Sequence, residues 1–88
     1  MLFECHITLH LCNKDVGLIA AKEFKWKHSQ IERDPVLGND EYFYLTTYDD
    51  DYINMFHRMN TVSDFCARHD AAPVRMKIEM IMYDTKGK

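Results

Sequence analysis

Phe3-Glu4-Cys5-His6-Ile7-Thr8-Leu9-His10-Leu11 alternates without a break. Phe3, Cys5, Ile7, Leu9 and Leu11 share one parity, and Glu4, His6, Thr8 and His10 share the other. Successive side chains of a strand point to opposite faces. The stretch therefore predicts a half-buried strand with one dry face and one polar face. The rest of the chain must supply partners that share the dry face.

Two later stretches have the same period. Glu41 to Tyr48 sets Phe43, Leu45 and Thr47 against Tyr42, Tyr44, Thr46 and Tyr48. Val74, Met76, Ile78, Met80 and Met82 alternate with Arg75, Lys77, Glu79 and Ile81. A fourth strand is expected from Phe24 to Glu32, where Phe24 and Trp26 share one parity and Ile31 the other, so a β-bulge is needed between them. If Trp26 points into the core, Lys25, Lys27 and Ser29 belong to the polar side. Arg33 to Asp40 carries turn chemistry at both ends.

Helices are expected between these strands. Asn13 can cap a short one, in which Val16, Ile19 and Ala20 recur at helical spacing up to Lys22 or Glu23. Gly17 weakens it by up to ~1 kcal/mol relative to Ala, so packing must hold it. Asp49-Asp50-Asp51 opens a longer helix, where carboxylates meet the positive end of the dipole. Capping is a better reading of this triplet than cation binding. Tyr52, Met55, Phe56, Met59, Val62 and Cys66 then form one apolar stripe over about four turns. Asp70-Ala71-Ala72-Pro73 ends the helix, and residues 84–88 read as a frayed tail.

The 88 residues are 47% apolar, which suffices for one domain and one core spanning residues 1–88. There is no room for a dinucleotide fold with a second domain. The formal charge of −3 argues against a dedicated nucleic-acid binder, which shows a basic excess or stripe. Cys5, Cys12 and Cys66 form no CxxC pair, which argues against a zinc ribbon or a disulfide framework. A reducing, cytoplasmic setting is expected. No signal peptide or membrane span is expected either.

The order βαββαβ resembles the ferredoxin-like sandwich over residues 2 to 84. That resemblance implies an α+β fold with a four-stranded antiparallel sheet in the order 4-1-3-2. Both helices lie on one face, and the other face is open. The polar parities then converge there: Glu4, His6, Thr8 and His10 with Tyr42, Tyr44, Thr46 and Tyr48, joined by Lys27, Ser29, Arg75, Lys77 and Glu79.

This mix of groups suggests a site for an anionic small molecule or phosphoester. Arg75, Lys77 and Lys27 would hold the anion, while Thr8, Ser29, Thr46 and Tyr44 orient it. His6 is the candidate acid–base group, since an ordinary imidazole titrates near neutrality. Glu79 or Glu4 would orient His6 or fix a cation. His6-Ile7-Thr8 also resembles one half of the paired His-x-Thr or His-x-Ser of the two-histidine phosphoesterases. In that family one His is base, the other acid, and the hydroxyls hold the phosphate. His28-Ser29-Gln30, His57-Arg58-Met59 and His69-Asp70-Ala71 all miss the pattern, and that family's chains are about twice as long.

No metal site is expected from sequence. Glu4 and His10 stand about 20 Å apart along a strand at 3.3 Å per residue, and Glu4 with His6 gives only two ligands. Aromatic residues on an open sheet are also a feature of RNA-recognition modules, but Glu41-Tyr42-Phe43-Tyr44-Leu45 lacks their glycine and begins acidic. The alternative function is a non-enzymatic interaction module, either a homodimer that packs Tyr42, Tyr44, Tyr48 and Ile81 of two open faces or one such face receiving another partner. No cofactor motif is identified, and periodicity does not decide whether the chain is an enzyme.

Overall fold

The computed structural model describes residues 1–31 and 41–81. The turn expected at 33–40, the strand ends expected at Glu32 and Met82, and the expected tail at 84–88 lie outside the described residues. Elements follow in the order β1 (Leu2–His10), a 3-10 turn (Leu11–Asn13), α1 (Lys14–Phe24), β2 (Lys27–Ile31), β3 (Tyr42–Asp49), α2 (Tyr52–Arg68) and β4 (Arg75–Ile81). The four strands form one antiparallel sheet in the spatial order β2-β3-β1-β4. This is the expected 4-1-3-2 order read from the other edge.

Alternation explains the core. Cys5, Ile7 and Leu9 of β1 and Phe43 and Leu45 of β3 are buried beneath Ala20 and Ala21 of α1 and Met55, Val62 and Cys66 of α2. Burying one Leu-, Ile- or Phe-sized side chain stabilises by about 1.5–3 kcal/mol. This single cluster therefore holds both helices on the same face of the sheet.

Gly17 lets α1 approach that face. A Cβ there would stand 2.5 Å from Phe43 Cδ2 and Cε2 and 3.1 Å from Leu9 Cδ1. The glycine that weakens the helix by propensity is required by its packing.

Several boundaries differ from expectation. Phe24 ends α1 and does not begin β2, and β2 pairs with β3 one for one from Lys27 to Ile31, with no bulge. It lies four residues beyond Ala20 and continues the helical stripe, with its ring edge-on to Phe65 of α2 at 5.4 Å. Lys25 then takes a left-handed conformation (φ 62°), and Trp26 N–H donates to Ala21 O at 2.9 Å, which closes the helix. Trp26 is buried in the core, so Lys27 and Ser29 fall on the opposite side, as the parity argument required. Leu11 leaves the strand for the 3-10 turn, and Asn13 makes no side-chain cap.

The core-facing stripes of α2 and β4 are narrower than expected. Met55, Met59, Val62 and Cys66 are buried, but Tyr52 and Phe56 are exposed. Met76 and Met80 pair with Ile7 and Phe3, so they share the helical face, yet both are exposed because β4 is an edge strand.

The junction of β3 and α2 is tied by side chains. Asp51 accepts from Ile53 N–H at 3.3 Å as the helix cap. Asp49 accepts from Asp51 N–H at 2.9 Å, Asn54 Nδ2 at 2.6 Å and Arg58 at 3.0 Å. Arg58 also donates to Tyr48 O and to Thr47 Oγ1, both at 2.9 Å. Asp49 and Asp51 of the acidic triplet are thus committed to ending one element and starting the next.

Candidate functional site

The register arranges the open face in rows. Lys77, His6, Thr46 and Lys27 form one row, from β4 across β1 and β3 to β2. Arg75, Thr8, Tyr44 and Ser29 form the next. Glu79, Glu4 and Tyr48 lie on the other side of the His6 row. Directly opposed side chains are about 5 Å apart, so polar groups from all four strands come within reach of one ligand.

A hollow of about 220 Å³ sits over these rows, lined by His6, Thr8, Ser29, Tyr44, Thr46, Arg75 and Lys77. Seven of the nine residues expected at the site thus share one concavity. Lys27 instead has its Nζ 5.9 Å from the centre of the Tyr48 ring, a cation–π contact. Glu79 lies outside the lining and bonds to it: its Oε1 is 3.3 Å from Lys77 Nζ and 3.5 Å from His6 Nε2.

His6 is held from both ends. Nδ1 lies 3.0 Å from Thr46 Oγ1, and Nε2 lies 3.1 Å from Glu4 Oε1. Thr46 comes from the β1–β3 register and Glu4 from the same face of β1, whose central position keeps the ring in place. A hydrogen bond from Tyr48 holds the Glu4 carboxyl below the usual carboxylate range, with a smaller contribution from His6. The same bond pushes the Tyr48 hydroxyl up.

The charges in the hollow are not equivalent. Lys77 is paired with Glu79, whereas the Arg75 guanidinium has no hydrogen-bond or ion-pair partner among the described residues. Thr8 and Ser29 make no side-chain hydrogen bond among the described residues either. A planar cation beside uncommitted hydroxyls suits an oxyanion, which accepts several hydrogen bonds and carries the opposite charge.

Two expectations change. Tyr42 and Tyr44 lie on the open face but are only 3% and 9% exposed. Of the aromatic set proposed for packing two such faces, only Tyr48 is well exposed. The direct opposition of Glu4 and Glu79 was also missed. Both carboxylates were visible on the polar parity, but the offset between β1 and β4 was not.

Cys5 and Cys66 do not contribute reactive thiolates. Burial pushes the Cys5 thiol up to about 12 and raises Cys66 as well, so neither offers a thiolate near neutrality.

Fold and site together define a small α+β domain, with two helices and a four-stranded antiparallel sheet whose open face holds a polar hollow. Comparison with protein-family models, with curated proteins and with solved structures gives no match. No helix among the described residues is long and apolar enough to cross a membrane.

Proposed function

We propose that the open face binds an anionic small molecule, with a phosphate or phosphoester group as the moiety recognised, on a single domain of ferredoxin-like arrangement. The observation that carries this reading is Arg75: a guanidinium with no partner among the described residues, in a hollow that also presents Thr8, Ser29 and His6. Arg75 takes the anion through its fork of donors, and the hydroxyls complete the shell. Lys77 adds a second positive charge. His6 stands where it can exchange a proton with a bound phosphoester oxygen, which makes it the acid–base candidate if the site is catalytic. The three free thiols support a reducing, cytoplasmic setting.

Inorganic phosphate and a nucleoside monophosphate, titrated against the amide NMR spectrum, test the reading. Saturable shifts are expected at Thr8, Ser29 and Arg75. Arg75→Ala should weaken binding by about 10- to 100-fold, the equivalent of one charge-assisted hydrogen-bonding group worth about 1.5–3 kcal/mol. It should leave thermal stability nearly unchanged, because Arg75 has no partner among the described residues to lose. The reading fails if neither ligand moves β1 or β4 amides, or if Arg75→Ala binds like the parent. Sedimentation at several concentrations reads the competing use of this face: self-association that buries Tyr48 and is indifferent to phosphate would replace the proposal.

A further inference from the structure

The neighbouring row of the open face holds an arrangement that anion binding does not use. Glu4 and Glu79 are direct cross-strand partners. Like charges placed opposite each other destabilise a sheet, so this register favours a cation between them. His6 turns its Nε2 toward that point, 3.1 Å from Glu4 Oε1 and 3.5 Å from Glu79 Oε1. The three residues each offer a ligand atom, and these atoms lie within 4.8 Å of one another.

The two His6 spacings are close to those around a shared metal ion. Two ligand atoms each about 2.1 Å from one ion stand roughly 3.0 Å apart at a right angle and about 3.4 Å apart at the tetrahedral angle. Of the two His6–carboxylate distances, 3.1 Å falls within that range and 3.5 Å lies just above it. We infer that Glu4, His6 and Glu79 form a binding site for a divalent first-row metal ion, of which zinc is the natural probe.

Chemistry and surroundings agree. One imidazole and two carboxylates form a mixed nitrogen–oxygen set suited to a borderline ion such as zinc or manganese. Three protein ligands leave further coordination positions for water or a bound oxyanion. Thr46 supplies the outer partner that metal-bound histidines require: with Nδ1–H donated to Thr46 Oγ1, the Nε2 lone pair is turned to the ion. Without the metal, a proton on Nε2 occupies the same place and donates toward Glu4. The metal also takes Glu79 from Lys77, whose Nζ is 3.3 Å away, and so frees a second cation beside Arg75. His6 belongs both to this ligand set and to the wall of the hollow, which places the ion next to the proposed anion site.

Calorimetric titration with zinc alone, paired with amide NMR, tests the inference. One ion per chain is expected, with shifts centred on Glu4, His6 and Glu79. Removing an outer-shell partner of a metal-bound histidine costs about 10- to 100-fold in affinity, so loss of a direct ligand in Glu79→Gln or Glu4→Gln should cost at least that much. Glu23→Gln, an exposed carboxylate on α1, should bind zinc like the parent. Glu79 is half-exposed on an edge strand, so its variant is expected to fold, and its own melting curve verifies this. The inference is overturned if zinc binding is not saturable. It is also overturned if folded Glu79→Gln binds zinc unchanged, which would place the ion on other histidines. Arg75→Ala keeps all three ligands, so phosphate binding unchanged in that variant, with zinc binding intact, would count against the anion reading alone.

Discussion

The His6 ring on β1 and the Thr46 hydroxyl on β3 meet at 3.0 Å, forty residues apart in the chain and directly opposite in the sheet. The contact assigns the two ring nitrogens separate tasks. Nδ1 is committed to the sheet, and Nε2 is left for Glu4, Glu79 or a ligand. Thr46→Val keeps the shape and removes the hydroxyl. It should cost about 0.5–1.5 kcal/mol of stability, the net worth of one hydrogen bond. Phosphate affinity should fall with it, because Thr46 also lines the hollow. Chemical denaturation and the phosphate titration check the two effects separately.

Gly17→Ala opposes helix propensity to packing. Alanine gains up to about 1 kcal/mol in an exposed helix. Here its methyl group would meet Phe43, a fully buried ring, at 2.5 Å. Overpacking costs about 1–3 kcal/mol. The net expectation is a lower melting temperature, measured by circular dichroism.

Lys25→Gly should do the opposite. Lys25 closes α1 at φ 62°, a conformation that glycine adopts without the Cβ penalty. A gain of up to about 1 kcal/mol is expected, seen as a higher melting temperature with an unchanged amide spectrum outside the α1–β2 connection.

Asp49 sets an acid limit. The backbone N–H of Asp51, then Arg58 and Asn54, hold its carboxyl below the ordinary value of 3.8. A carboxyl lowered in the folded state contributes stability that is present above its unfolded value and lost as pH falls through the folded one. Stability from this group should therefore be constant at neutral pH and decline below about pH 4. Asp49→Asn should flatten that part of the acid-unfolding curve and lower stability at neutral pH, both read from urea midpoints at a series of pH values.

Most of the architecture is legible in period and punctuation. The alternation from Phe3 to Leu9 separates Cys5, Ile7 and Leu9 from Glu4, His6 and Thr8, and every one of these falls on its expected side. The placement of Trp26 in the core was sufficient to turn Lys27 and Ser29 outward. The start of β2 was harder to read. Phe24 satisfies both a strand parity and a helical spacing from Ala20, and only its packing on Phe65 decides between them. The exposure of Phe56 and Met76 was hidden because a stripe shows which side faces the core, not how far the core extends toward a sheet edge.

The sequence by itself determined the two faces of this protein and the residue types on each, because side-chain direction in a strand follows from chain geometry alone. It placed His6, Thr8, Thr46, Arg75 and Lys77 together on the polar face. Tertiary structure decided which of them touch. Register is set by the packing of the whole dry face, and one set of offsets puts Thr46 behind His6, Glu79 opposite Glu4 and Lys77 against Glu79. It also leaves Arg75 in the hollow without a partner among the described residues. Those offsets turn a polar face into a candidate anion site with a metal site beside it.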